Sequence, residues 1–241
     1  LSVVGLKADI PKEVNGRRSA LAKWITHKDN PLTARVMVNR VWQYHFGRGL
    51  AGNPNNFGAT GKKPTHPELL DWLADEFVKS GWSMKHLHRL IVTSNAYRMK
   101  TSGEIAKVEN MRVDPDNVYL WRMNSRRMES EVVRDSVLWV SGELDLTMGG
   151  PELDSKLGQT TNRRSIYYRH APEKFMTFLI LFDAPSTHEC YRRNETIVPQ
   201  QALALVNSPL SIEQSRLLAK KLNKQVGHAN TPFINQAFVN V

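Results

Sequence analysis

The side chains best equipped for chemistry gather in one stretch, His188-Glu189-Cys190, with Arg192 and Arg193 just behind it. In extended backbone His188 and Cys190 share a face, because side chains alternate with a period of two. Such a pair could offer two ligands to zinc, which takes three or four. It could also form a nucleophile, with His188, Arg192 and Arg193 lowering the thiol's pKa. Either set would need a further member such as His170. The candidate catalytic residues are therefore His170, His188, Glu189 and Cys190, against the plainer reading of a lone cysteine as a small buried hydrophobe. No complete catalytic constellation is present. His-Glu-x-x-His and Gly-x-Ser-x-Gly are both absent. His86 and His88 stand two apart on an expected helix and point to different faces. Gly58-Ala-Thr-Gly61-Lys62-Lys63 lacks the spacing of a phosphate loop. No metal site is assigned.

The arginines carry more weight. A guanidinium is a planar fork that matches carboxylate, phosphate or sulfate with two parallel hydrogen bonds. Arg169, His170, Arg192 and Arg193, with the amides of Gln200 and Gln201, could line an anion-binding cleft. The competing reading makes these arginines internal ties to Glu173, Glu189, Glu195 or helix carbonyls. The chain holds 33 Lys and Arg against 23 Asp and Glu, a net charge of +10. That balance attracts polyanions: an acidic polysaccharide, an acidic partner domain or nucleic acid. The basic doublets are spread along the chain, whereas nucleic-acid modules concentrate theirs, so nucleic acid ranks last.

The elements that must position these residues are mostly helical. Asn30-Pro31 is a start signal, and Gly47 can end the helix it opens. Residues 47–67 form a long Gly-, Asn- and Pro-rich connection of the kind that is often functional. Thr65 and Glu68 read as a capping box, Ser83 as an N-cap, Ser208-Pro209 as a further helix start. Met128–Leu144 reads as an amphipathic helix using Val132, Val133, Ser136, Val137 and Val140. Arg164–Arg169, short, β-branched and aromatic, is the best strand candidate. Trp42, Trp72, Trp82, Trp121 and Trp139 fit apolar helix faces, Trp82 being the one expected at the surface. The expected fold is mainly α: an irregular multi-helix domain with long loops and a minor β element near 163–169. Residues 1–29 read as an N-terminal arm and first helix, and 30–241 as a single domain cut short at its C-terminus. One cysteine excludes an internal disulfide, no apolar run is long enough to span a bilayer, and no signal peptide is visible.

Four stretches carry a family resemblance: Leu32–Leu50, Asn56–Gly61 with His66–Leu73, Leu90–Arg98, and Cys190–Pro209. Together they resemble the planctomycete domain of unknown function 1553, found C-terminal to cytochrome c-like modules in large proteins. The resemblance runs from about Asn30 to the end of the chain. It implies a multidomain parent, a periplasmic or secreted location, and haem only in a separate module, with no cofactor in this chain. It implies no activity. The leading expectation is a non-catalytic binding or scaffold module for an anionic polysaccharide or another domain of its parent. The alternatives are a hydrolase of polysaccharide or ester built on the His/Glu/Cys cluster, and a docking module for a cytochrome c-like domain.

Overall fold

The computed structural model describes residues 5–102, 108–188, 193–227 and 229–241. The chain divides into two compact units, Leu1–Arg126 and Arg127–Val241.

In the first unit, α1 (Arg17–Ile25) buries no residue, and Trp24 Nε1 ties it to the carbonyl of Leu6 at 3.1 Å. Helix α2 (Pro31–Phe46) starts as expected, with Asn30 Oδ1 accepting from the Leu32 N–H and Pro31 in the first turn. It stops at Gly47, whose φ of 79° is open to glycine at little cost. Helix α3 (Pro67–Lys79) and α4 (Met84–Thr93) pack against it. Their shared core is Ala34, Val38, Val41, Trp42 and Phe46 of α2, Leu70, Leu73 and Phe77 of α3, and Leu87 and Ile91 of α4. The apolar positions recur at three and four residues, so each helix contributes one stripe. A short α5 (Val108–Val113) follows, and Asp114 then closes a turn by accepting from the N–H groups of Val118 and Tyr119, both at 2.8 Å.

The capping box does not form. His66 occupies the N-cap of α3 without a side-chain cap, while Thr65 Oγ1 donates to the Leu50 carbonyl instead. Thr65 is needed there because the 47–66 connection is held inward. Leu50 and Ala51 are buried, Ala51 pairs with Pro64 in a single antiparallel bridge, and the Thr65 N–H donates to Leu50 O at 2.9 Å. Asn39 on α2 completes the hold. Its Oδ1 accepts from the Ala51 N–H at 2.8 Å and its Nδ2 donates to the Ala51 carbonyl at 3.1 Å, as a neighbouring strand would. Gly49 must be glycine, since a Cβ there would sit 2.7 Å from Asn39 Nδ2 and 2.8 Å from Ala51 O.

In the second unit, α6 (Ser130–Ser141), α7 (Thr177–Leu181), α8 (Pro199–Asn207) and α9 (Pro209–Val226) surround a core of Leu138, Tyr168, Met176, Phe178, Leu179, Phe182 and Leu210, and α10 (Asn230–Asn240), which buries no residue, packs on α9. Ser208 caps α9 by accepting from the Ser211 N–H at 3.1 Å. Two expectations change here. The strand candidate 164–169 is a 3₁₀ turn over Ser165–Tyr167, between single parallel bridges from Asp145 to Arg163 and from Leu153 to Tyr168. The β element is thus two bridges, and the fold remains mainly α. Helix α6 buries Ser130, Arg134, Leu138 and Ser141 most deeply; Val133 and Val137 pack half-buried against the core, and Val132 is exposed. Trp72 and Trp139 are also exposed, at 52% and 63%, while Trp42 is core and Trp82 packs edge-on against Phe77. Among the described residues no helix is long and apolar enough to cross a membrane.

Candidate functional site

The arginine-rich region singled out by the sequence lies in the second unit, and its described residues are ties between elements. Arg169 follows the bridge at Tyr168, with its N–H on the Leu153 carbonyl at 2.9 Å. Its guanidinium lies 3.4 Å from Glu152 and 3.5 Å from Glu173. Arg193 takes both carboxylate oxygens of Glu131 at 3.1–3.2 Å and lies 3.7 Å from Glu129. The expected pairing with Glu173 is present, while Arg193 meets Glu131 of α6 and Glu129 just before it.

Gln201 is buried. Its Nε2 donates to the carbonyls of Leu181 and Thr196 at 2.9 and 3.2 Å, and its Oε1 accepts from Arg127 Nη2 at 2.9 Å. Thr196 is held from the other side by Asp183, which accepts from its N–H at 2.7 Å and its hydroxyl at 2.9 Å. Gln200, His170 and His188 are exposed, and His188 Nδ1 lies 3.1 Å from Thr187 Oγ1. Glu189, Cys190 and Arg192 lie outside the described residues. Among the described residues no hydrogen bond or ion pair joins any two of Arg169, His170, His188, Arg193, Gln200 and Gln201. No group of three His, Cys, Asp or Glu among them could hold a metal ion.

Burial alone would push the Glu131 carboxyl up. Hydrogen bonds from its own backbone N–H, from Arg193 and from Ser130 outweigh that and hold it below the usual glutamate range. Its folded value lies under the unfolded one, so this contribution is present above the ordinary glutamate pKa and is lost as pH falls through the folded value. Arg193→Ala leaves a largely buried carboxylate without its fork. We expect the second unit to lose about 2 kcal/mol at neutral pH. The loss should shrink in acid, and urea unfolding at pH 7 and pH 3 measures both.

The charge of the chain is partitioned. Residues 1–126 hold 20 Lys and Arg against 11 Asp and Glu, and residues 127–241 hold 13 against 12. In the second unit several cations meet acids: Arg163 lies 3.7 Å from Asp145, Lys174 2.9 Å from Asp154, and the wholly buried Arg134 3.5 Å from Asp135. The first unit has cations to spare. Lys62, Lys63, Lys85 and Arg89 are exposed, and among the described residues no ion pair involves them.

Residues 17–241 match PSD1, a family of proteins of unknown function (DUF1553). The chain belongs to the PSD1 family. No curated protein and no solved structure matches it. The family match spans nearly all of both units, so the paired arginines and the basic first unit are parts of one PSD1 sequence.

The first unit of this PSD1 protein carries one more arrangement that sequence reading missed. His45 on α2 and His88 on α4 share a hydrogen bond, Nε2 to Nδ1, at 2.8 Å, with Tyr97 edge-on to His45 at 5.4 Å. His86, on another face of α4, instead meets Glu76 at 2.9 Å. One imidazole of the linked pair must be an acceptor, so the pair cannot be doubly protonated and keep its bond. Burial, then His88 and Arg126, push the His45 pKa below its ordinary 6.5. The folded state therefore binds fewer protons than the unfolded one, and stability falls as pH drops below that ordinary value. His45→Gln should flatten this acid limb, read as a smaller loss of Tm between pH 7 and pH 5. An unchanged pH profile would remove His45 as its source.

Proposed function

We propose that this protein is a non-catalytic binding module whose first unit recognises an anionic polysaccharide. The partition of charge carries the reading. The excess of 20 basic over 11 acidic residues lies in residues 1–126, and exposed cations there lack acidic partners among the described residues. A uronate or sulfate polymer repeats negative charge along its length and gains from many weak, screened contacts with such a surface. Acidic partners already engage Arg169 and Arg193, which favours the basic first unit over the arginine cleft as the anion-binding surface. As the sequence resemblance suggested, the module would work outside the cytoplasm in a multidomain parent, with any cytochrome c-like haem domain separate from it.

Titration of the chain with polygalacturonate and with a sulfated glycan, at low and raised salt, tests this. Affinity should fall at least about tenfold with salt. The combined substitution Lys62→Glu, Lys63→Glu, Lys85→Glu and Arg89→Glu should abolish binding while the far-UV spectrum is kept. Salt-insensitive binding, or none to any polyanion, would reject the proposal. Binding only to an acidic protein domain would replace the polysaccharide with a neighbouring module.

A further inference from the structure

The second unit, nearly balanced in charge, nonetheless holds an open cleft of about 310 Å³ lined by Trp139, Val140, Gly142, Leu144, Lys221 and Asn240. Its volume is at the lower end of small-ligand pockets, which run from about 300 to 1,000 Å³. Three features give it a chemistry. Trp139 is 63% exposed beside the fully buried Leu138, so α6 spends its most costly side chain on the surface rather than in the core. Val132, seven residues earlier and also exposed, shares that outward face. Lys221 reaches from α9 to the C-terminal end of α6, where its Nζ donates to the Val140 carbonyl at 3.3 Å. That bond occupies one of the ammonium's three N–H groups. Asn240 of α10 donates through Nδ2 to Gln236 O at 2.7 Å, which leaves its amide oxygen as an acceptor. None of the six lining residues is acidic, and the adjacent Glu143 accepts from Asn162 Nδ2 at 3.4 Å.

We infer that this cleft binds a single acidic sugar residue, its pyranose face on the Trp139 indole and its carboxylate on Lys221. A pyranose has one apolar C–H face and a polar rim. An exposed indole beside an ammonium and an amide suits both, and Val140 and Leu144 supply the apolar floor. An acidic peptide would also find the ammonium but gains less from a flat, lone indole. The inference rests on the polysaccharide reading for its ligand class, yet its site is on the other unit, so the two can fail separately.

The test uses the full chain, trigalacturonate, the neutral galactose trimer of matching length, and an acidic peptide. The Trp139 indole N–H is followed by NMR, assigned by its loss in Trp139→Phe. Trigalacturonate should shift that resonance, and Lys221→Gln should weaken binding at least about tenfold by the same titration; calorimetry, which needs no indole, should show a loss of similar size in Trp139→Ala. Both positions are surface-accessible, and unchanged melting curves show that the variants fold. The neutral trimer should bind about tenfold more weakly and ignore Lys221→Gln. The inference is overturned if no saccharide moves the Trp139 resonance, if the shift survives Lys221→Gln, if calorimetric binding survives Trp139→Ala, if the neutral trimer binds as well, or if the peptide binds better. Salt-sensitive binding of long polygalacturonate that leaves Trp139 unmoved would keep the first-unit proposal and sink this one. Loss of both would sink both.

Discussion

Arg134→Met should destabilise the second unit by about 3–5 kcal/mol, the largest single effect we expect in this protein. Arg134 has no exposed surface, and its guanidinium is saturated by the structure around it. Nε donates to Gly158 O at 3.0 Å, Nη1 to Arg163 O at 2.9 Å, and Nη2 to Thr161 O at 2.5 Å and the Tyr168 hydroxyl at 3.0 Å. Asp135, which also accepts from the Ser165 N–H at 2.9 Å, balances the charge from 3.5 Å. Burial pushes the Arg134 pKa down, and Tyr168 and Asp135 oppose it. The residue thus replaces strand pairing: the irregular 158–168 segment is organised around one five-donor side chain. Methionine matches its bulk but strands three carbonyls. Arg134→Lys should recover little, because an ammonium cannot reproduce the fork. Hydrogen exchange locates the damage. Protection should fall across α6 and Met176–Phe182 and persist in α3, and unchanged protection in the second unit would show that Arg134 is dispensable.

Asn39→Ala comes next, at about 2–3 kcal/mol from the first unit. Asn39 is fully buried, and its amide satisfies both backbone groups of buried Ala51. Alanine removes donor and acceptor together and leaves two polar atoms away from water. Asn39→Asp tells pairing from packing. It keeps the shape and the acceptor for the Ala51 N–H, but it sets an unpaired buried charge against the Ala51 carbonyl, so it should destabilise at least as much as alanine. Urea midpoints measure both. An aspartate near wild type would mean that water reaches the site. Release of Ala51 should also free Thr65 and raise exchange at the first turn of α3, since Leu50 and Thr65 are joined by the same loop closure.

Helix type and several boundaries were legible in the sequence because they depend on local chemistry. Asn30-Pro31, Gly47, Ser83 and Ser208-Pro209 act through backbone groups within a few residues, and each does in the structure what its type implies. The mainly helical class and the family followed from similarly local patterns. Tertiary structure decided which face of a helix is buried and which charges are neutralised. On α6 the valines suggested an apolar stripe, and Val133 and Val137 do lie against the core, yet the most deeply buried positions are Ser130, Arg134, Leu138 and Ser141. The regular spacing of that polar set was the one available signal. Hydrophobicity misreads such a helix, because a buried cation is stable only when carbonyls from residues 158–163 arrive to meet it. The same reason gives Arg193 and Gln201 partners, Glu131 and Leu181, that are remote in sequence. It also placed Trp139 at the surface beside Lys221, 82 positions away, where only the packing of α6, α9 and α10 could bring them together.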